Sequence, residues 1–298
     1  MIVVTTPTGQ IGRQLLDRLL DAPDAGPLRV IVRDPARLAP AARDRVEVFQ
    51  GSHSDPDVLG AACADADRVF WLVPPSPVTD SVAGHFRAFT EPLCEVIEAR
   101  GVQRVVAVST LGRKIAENAG QISASLAMDE QIMSTGVHYR ALCPPFLMEN
   151  LLGQAPSIRD SGVFRMPSDT PHVAHVLRTC ATADIAATAA RLLLADSWSG
   201  QEDVPLVGPD ALTPEGMAEV VSQVLGRPVR MERVGIEDYR RALLGRGASE
   251  AVAQGMADMT RAIDEQGFYG AAAPSTPETA PTAFRQWCEE VLKPAVLG

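Results

Sequence analysis

Short apolar runs alternate with longer amphipathic stretches through the first half of the chain. The apolar runs have the length of buried strands, and the amphipathic stretches repeat apolar positions at helical spacing. The predicted strands cover residues 1–5, 28–32, 46–49, 69–73, 105–108 and 139–142, and the predicted helices include 13–20, 55–64, 80–99 and 122–134. Strands that alternate with helices predict an α/β protein, a Rossmann-type doubly wound parallel sheet with crossover helices.

The pattern loosens after about Phe146. Short strands are predicted near Val163, Val204 and Val229, between helices predicted at 184–194, 214–225, 236–244, 249–265 and 281–292. Residues 270–281 are rich in Ala, Pro, Ser and Thr, which is typical of a connector. We therefore predict a dinucleotide-binding domain at 1–150. It is followed at 151–298 by a smaller, mostly helical substrate-binding cap that is partly interleaved with the sheet.

A glycine-containing turn follows the first predicted strand and leads directly into a helix. Its candidate cofactor-binding residues are Thr6, Thr8, Gly9, Gln10, Ile11 and Gly12. A helix that starts at the carboxyl end of a buried strand offers free N–H groups to a pyrophosphate. Gly9 would let the backbone approach the phosphates and Gly12 would let the helix lie close to the strand, whereas Thr6 replaces the first glycine of the fuller fingerprint. The alternative is an ordinary strand-to-helix turn.

The end of the second strand bears on the choice between the two nicotinamide cofactors. Arg33 stands at this end and precedes Asp34, and Arg37 lies one turn further on. An acid at this place favours a free ribose 2′-hydroxyl, whereas an arginine favours a 2′-phosphate. We therefore expect NADPH, while Asp34 leaves NADH possible and both arginines could be plain surface charges.

Composition and charge exclude several classes of partner. The 298 residues carry a net charge of −10, which argues against nucleic acid. No apolar run has membrane-spanning length, and no signal peptide is recognisable. The five cysteines are scattered, and the pair His172 and His175 lacks an acidic partner, so we expect no metal site. These features predict a soluble cytoplasmic protein; they leave its oligomeric state open.

Several short motifs are spread over nearly the whole chain. They are Thr8-Gly9-Gln10-Ile11-Gly12, Trp71-Leu72-Val73-Pro74-Pro75, Ser109, Glu130, the stretch from Cys143 to Asn150, Asp184-Ile185-Ala186, Val207-Gly208-Pro209 and Leu212-Thr213. In these residues the chain resembles the NmrA-like group of atypical short-chain dehydrogenases/reductases, whose relatives include quinone reductases and bacterial relatives of ergot-alkaloid dehydrogenases. The resemblance implies that residues 9–12 hold the pyrophosphate and that Val73 and Pro74 flank the cofactor. It also implies that Pro144, Pro145 and Phe146 border the nicotinamide. Thr6, and Cys143 in place of an arginine, depart from the family pattern.

The Tyr-x-x-x-Lys pair of typical short-chain reductases is missing. In that pair the lysine lowers the tyrosine pKa, so that the tyrosine can protonate a carbonyl oxygen. When the family pattern is aligned at Glu130, Ile122 falls at the tyrosine position and Leu126 at the lysine position. The chain has only two lysines, Lys114 and Lys293. The residues four positions after Tyr139, Tyr239 and Tyr269 are Cys143, Leu243 and Ala273.

The missing pair points to acceptors whose reduction gives a stabilised anion or a neutral product, namely conjugated or aromatic ones. Ser109 and Thr110 are the candidate catalytic hydroxyls, and Ser109 is also a candidate cofactor-binding residue. The alternative for Ser109 is a strand-end hydrogen bond to the backbone. Phe146, Met148 and Asn150 are candidate substrate-binding residues, although Met148 also suits a core. Lys114 fits a solvated loop charge better than a catalytic group.

Three functions remain in competition. The first is an NADPH-dependent ketoreductase for a carbonyl of a polycyclic aromatic, polyketide-type compound, as in antibiotic biosynthesis, with the proton supplied by substrate or water. The second is a quinone or iminium reductase. The third is a non-catalytic NADP-sensing regulator.

Overall fold

The computed structural model describes residues 1–170, 176–276 and 278–298. The strands in these ranges are β1 (Ile2–Thr5), β2 (Leu28–Val32), β3 (Glu47–Gln50), β4 (Arg68–Trp71), β5 (Arg104–Val108), β6 (His138–Cys143), β7 (Phe146–Leu147), β8 (Val163–Pro167), β9 (Thr179–Cys180), β10 (Gln201–Pro205) and β11 (Arg230–Val234). The first six confirm the six strands predicted for the first half of the chain.

The α-helices in these ranges are α1 (Gln10–Asp21), α2 (Pro40–Arg43), α3 (Pro56–Ala62), α4 (Val82–Arg100), α5 (Gln121–Ser134), α6 (Ala155–Ser161), α7 (Thr182–Leu194), α8 (Pro214–Leu225), α9 (Ile236–Gly245), α10 (Glu250–Gln266), α11 (Phe268–Ala271), α12 (Phe284–Trp287) and α13 (Lys293–Leu297). Short 3₁₀ helices cover Pro35–Arg37 and Met148–Gln154. The helix predicted at 281–292 starts later than expected, and a π-helical turn at Cys288–Leu292 joins α12 to α13. No helix in the described ranges is long and apolar enough to cross a membrane.

Seven strands form one parallel sheet in the order β10-β6-β5-β4-β1-β2-β3. The chain moves outward from β1 through β2 and β3, then returns to the other side of β1 for β4, β5 and β6. The strand order therefore reverses between β1 and β4, and dinucleotides bind in the crevice outside the carboxyl ends of the strands at such a point. The predicted Rossmann-type doubly wound sheet is confirmed.

Both faces of the sheet are covered by helices. On one face, Leu15 of α1 and Ile185 of α7 belong to a buried cluster that includes Val30 of β2. On the other face, Leu93 of α4 and Ile132 of α5 pack in a second cluster. Because both faces of the sheet are covered, a ligand can reach the strands only at their ends.

The C-terminal part is mostly helical and has its own apolar cluster, which includes Phe164 and Trp287. It also contributes to the main sheet, because β10 pairs with β6 and α7 packs on α1. In addition, β8 pairs with β11, and β7 pairs with β9. The division of the chain at residue 150 stays a prediction.

Candidate functional site

Five of the predicted site segments follow five neighbouring strands of the sheet. Residues 6–12 follow β1, Arg33 follows β2, residues 73–74 follow β4, residues 109–110 follow β5, and residues 144–146 follow β6. These strands are adjacent and parallel, so all five segments lie at the same edge of the sheet. The fold therefore brings together segments that are up to about 140 positions apart in the sequence.

The turn between β1 and α1 separates the roles of its two glycines. A Cβ added to Gly12 would stand 2.1 Å from the Thr6 carbonyl oxygen, so the helix can approach the turn only because this residue is glycine. A Cβ on Gly9 would stand 3.5 Å from the same oxygen, which is an ordinary contact. Gly9 is the N-cap of α1 and provides no side-chain cap, so the first N–H groups of the helix are open to a ligand.

Thr6 adopts a backbone conformation that glycine usually supplies. Its φ is +51°, in the left-handed region that β-branched residues rarely enter. The turn thus keeps the glycine-type path without glycine. We infer that the surrounding contacts impose this path, among them the hydrogen bond that Gly9 N–H donates to the Thr6 oxygen at 3.1 Å.

Thr5 joins the two strands at the point where the strand order reverses. Its hydroxyl donates to the Phe70 carbonyl at 2.9 Å and accepts from the Leu72 N–H at 3.2 Å. The side chain is fully buried. Thr5 therefore holds the ends of β1 and β4 at a set distance, and no local sequence signal distinguishes this threonine from its neighbours.

A cavity of about 370 Å³ opens beside the turn, at the end of β2. It is lined by Thr8, Val32, Arg33, Asp34 and Arg37. Asp34 uses its Oδ1 to accept the Ala36 N–H at 3.0 Å, which caps the short helix that follows. Arg33 and Arg37 are exposed, so two guanidinium groups border the cavity while the neighbouring carboxylate is engaged in a cap.

Two histidines hold the segment after β4. His53 Nε2–H donates to the Leu72 carbonyl at 3.0 Å, and His85 Nε2–H donates to the Pro74 carbonyl at 2.8 Å. His53 packs edge-on against Trp71, and burial lowers the pKa of its imidazole to about 4. A neutral His53 thus fixes the backbone next to Val73 and Pro74, the residues predicted to flank the cofactor. Neither histidine is recognisable from the sequence, because neither has a motif around it.

Ser109 takes part in a buried polar network. Its hydroxyl donates to Asp129 Oδ2 at 2.5 Å, and the same carboxylate accepts from the Tyr139 hydroxyl at 2.6 Å and from Arg113 Nη2. Arg113 also pairs with Asp203 at 2.7 Å. Burial raises the pKa of Asp129, which these donors oppose. Because its proton is used in this network, Ser109 can only accept a hydrogen bond; its catalytic role stays a prediction, and the geometry favours a structural one.

Thr110 has a different partner. Its Oγ1 lies 2.9 Å from the hydroxyl of Tyr269, which belongs to α11. Both residues are 8% exposed. Ile122 and Leu126, which are predicted from the sequence at the positions of the family's tyrosine and lysine, pack in one cluster with Tyr269. A tyrosine at this place was not predicted from the sequence, because 159 positions separate Tyr269 from Thr110.

The stretch after β6 divides into packing residues and accessible ones. Pro144 and Pro145 are buried, Phe146 is partly exposed, and Asn150 is exposed. Met148 is fully buried in the C-terminal cluster, so it has no surface to offer a substrate. We therefore correct the substrate-site prediction by removing Met148, whose alternative core role fits the structure.

Glu149, in the same stretch, ties three parts of the chain together. Its carboxylate accepts the backbone N–H of Thr182 at 3.1 Å and the Thr182 hydroxyl at 2.8 Å. It also accepts the Trp287 indole N–H at 3.1 Å. Glu149 thus satisfies the first N–H group of α7 and anchors the C-terminal segment, which is a structural reason for an acid at this position.

Two further predictions concern residues near this edge. Lys114 is exposed, as expected for a loop charge. His172 and His175 lie outside the described residues.

Comparison with known proteins agrees with this arrangement. A family model described as NAD(P)H-binding matches residues 7–196. The chain is 32% identical over 250 residues to the (4-alkanoyl-5-oxo-2,5-dihydrofuran-3-yl)methyl phosphate reductase of Streptomyces griseus, covering 83% of this chain and 81% of that protein. It is 30% identical over 260 residues to the NAD(P)H azoreductase of Xenophilus azovorans, covering 87% and 86%. The solved structure of an NADPH-dependent quinone oxidoreductase from Escherichia coli, complexed with NADPH, is similar with a TM-score of 0.79 and 22% identity, covering 98% of this chain and 99% of that one.

The fold and the site thus define a dinucleotide-binding oxidoreductase. The chain belongs to the NAD(P)H-binding family, as a member of the NmrA-like atypical short-chain dehydrogenases/reductases. The predicted enzyme class and nicotinamide cofactor are confirmed.

Proposed function

We propose that this protein is an NADPH-dependent reductase of conjugated or aromatic acceptors. The observation that carries the proposal is the pair of guanidinium groups, Arg33 and Arg37, at the cavity beside the uncapped start of α1. A 2′-phosphate matches two guanidinium groups through charge-assisted hydrogen bonds. Asp34, which would favour the free hydroxyl of NADH, uses one of its oxygens to cap the helix that follows.

The remaining cofactor contacts follow from the same edge of the sheet. The open N–H groups at the start of α1 and the backbone around Gly9 would hold the pyrophosphate. Val73 and Pro74 would flank the cofactor, and Pro144, Pro145 and Phe146 would border the nicotinamide. When bound, the cofactor supplies a hydride. The residues of this chain orient the two reactants and exclude water between them.

The acceptor class is supported by the site and by the relatives. Ile122 and Leu126 give apolar packing at the two positions of the missing Tyr-x-x-x-Lys pair. Hydride addition to a conjugated system spreads the negative charge, which lowers the demand for a strong acid. The names of the two sequence relatives describe an oxo-dihydrofuranyl phosphate and azo compounds as acceptors, which are conjugated groups.

Within this class, the carbonyl of a polycyclic aromatic, polyketide-type compound is our first proposal for the substrate. Such a compound carries a phenol beside the reacting carbonyl, so the substrate itself or water would supply the proton. Quinones are the second candidate, because hydride addition to a quinone also leaves a charge that the conjugated system spreads. The protein would act in the cytoplasm on a small aromatic molecule, with Phe146 and Asn150 at the substrate side.

The test is NADPH oxidation by the purified protein with acceptors of different chemistry. The panel contains a quinone, an unsaturated furanone, a cyclic iminium ion, a polycyclic aromatic ketone and an isolated aliphatic ketone. We expect turnover with a conjugated or aromatic acceptor and none with the aliphatic ketone. Preferential reduction of the aliphatic ketone would refute the acceptor class. Tight NADPH binding without any turnover would refute the reductase and favour a sensor.

A further inference from the structure

Tyr269 lies at the end of β5, at the same edge of the sheet as the predicted cofactor site. The cavity bordered by Arg33 takes the adenosine end of the cofactor to the β2 side of the crevice. The reactive ring then lies over the other half of the sheet, at the ends of β5 and β6. Tyr269 comes to the β5 end from α11, and its hydroxyl is 2.9 Å from Thr110 Oγ1.

The other protic groups described at this edge are committed or weaker acids. The Ser109 proton goes to Asp129, and the Cys143 thiol is 3% exposed and donates to the Ala141 carbonyl of its own strand. Thr110 is an aliphatic alcohol, so it is a much weaker acid than the phenol beside it. Tyr269 is thus the group best suited to deliver a proton here.

The surroundings of Tyr269 favour a fixed, protonated phenol. Its ring packs edge-on against Phe268, with centroids 5.2 Å apart, and lies in one cluster with Ile122 and Leu126. These contacts restrict the orientation of the ring. Burial raises the pKa of the phenol to about 12, so the hydroxyl keeps its proton through the neutral pH range.

We propose that the Tyr269 hydroxyl contacts the reacting oxygen of the substrate and donates a proton to it, with Thr110 as the partner that orients the phenol. This role rests on the proposed reductase function. Hydride addition leaves negative charge on the substrate oxygen. The Tyr269 O–H bond then breaks as the new substrate O–H bond forms, and the Thr110 hydroxyl donates to the phenolate that remains. A proton from solvent restores the phenol, so each cycle consumes one NADPH and one proton.

The first measurement compares Tyr269→Phe with the wild-type protein and with the control Tyr239→Phe, whose phenol is on α9. With a quinone as acceptor, we expect Tyr269→Phe to lower kcat on the order of a hundredfold, the lower end of the effect of a general acid. The affinity for NADPH should stay close to wild type, and the melting temperature should fall by only a few degrees, because one buried hydrogen bond is lost. The solvent deuterium isotope effect on kcat should also change in this variant and not in the control.

The second measurement does not depend on turnover. The probe is the anion of 2-hydroxy-1,4-naphthoquinone, whose binding is followed in the visible spectrum with NADP⁺ present. Loss of a hydrogen bond to a charged oxygen should weaken its binding by roughly tenfold or more in Tyr269→Phe. Thr110→Val, which leaves the aromatic ring in place, should show a smaller loss in both measurements.

The outcomes separate the two proposals. If the wild type is active and Tyr269→Phe matches it in kcat and in probe affinity, the role of Tyr269 is refuted while the reductase stands. If the wild type reduces no acceptor, the proposed function fails. A probe affinity that does not change in Tyr269→Phe then refutes the contact with the reacting oxygen as well, whereas a weakened affinity supports that contact.

Discussion

Replacement of Gly12 by alanine tests whether the close contact between α1 and its preceding turn is structural. The added Cβ would lie 2.1 Å from the Thr6 carbonyl oxygen and 2.8 Å from the carbonyl carbon. These atoms are backbone, so a rotamer change cannot relieve the clash. The start of the helix would therefore have to move away from the sheet by about 1 Å to reach ordinary contact distance.

This movement loosens the buried face of α1. Ile11, Leu15, Leu16 and Leu19 are all at most 7% exposed and pack against the sheet. A gap of this size forfeits a quarter to a half of the dispersion energy of the atoms that separate. We expect Gly12→Ala to lower the free energy of unfolding by about 1–3 kcal/mol, the typical cost of overpacking a core.

Gly9→Ala is the matched control within the same turn. Its Cβ meets the Thr6 oxygen at 3.5 Å, and its φ of −80° suits any residue. We expect a loss of stability under about 1 kcal/mol, because alanine is a poorer N-cap than glycine. The affinity for NADPH should fall by at least tenfold if the phosphates lie against this backbone, and Gly9→Val should bind still more weakly.

The assay is urea unfolding followed by far-UV circular dichroism, together with NADPH titration by fluorescence. An unfolding midpoint for Gly12→Ala that equals the wild-type value would contradict the packing argument. Unchanged NADPH affinity in a folded Gly9→Ala protein would remove the assignment of the pyrophosphate site.

Three further outcomes are expected. In parallel titrations, Arg33→Ala should weaken the binding of NADPH by roughly tenfold or more and leave the binding of NADH nearly unchanged. An equal loss of affinity for both would refute a 2′-phosphate contact. Glu149→Ala leaves buried donors of Thr182 and Trp287 without an acceptor. In urea unfolding, the free energy of unfolding should therefore fall by about 2–4 kcal/mol, and Glu149→Gln should lower it by less. The folded-state pKa of His53 is about 4, below its ordinary 6.5, so the unfolded chain takes up the proton first as the pH falls. Stability should therefore drop by roughly 3 kcal/mol between pH 6.5 and 4, relative to His53→Gln, and parallel pH profiles for the two proteins would contradict this.

The first half of the fold was predictable because its signals are local. A buried parallel strand is a short apolar run, and its crossover helix has a periodic apolar face, so the sequence shows both without any knowledge of distant contacts. Once the strands are located in the sequence, the glycine turn is seen to follow β1 and Arg33 to follow β2. The helix predicted at 281–292 was less accurate, because packing against the cap decides where that segment starts and bends.

The candidate site contains residues that no local pattern reveals. Met148 looked like a pocket residue because it follows a strand, but the C-terminal cluster surrounds it completely. Glu149 is an anchor only because α7 and Trp287 meet there. His53 and His85 matter only because their elements pack against the end of β4.

The sequence by itself determined the sheet, its crevice, the open start of α1 and the absence of a Tyr-x-x-x-Lys pair, since each depends on neighbouring residues. Only the tertiary structure decided that a phenol still reaches the end of β5. Tyr269 is 159 positions from Thr110, and the two residues meet because Tyr269 packs in one cluster with Ile122 and Leu126, the residues predicted at the positions of the usual pair. Side chains that meet across such separations leave no spacing to recognise, because their distance depends on how whole elements pack.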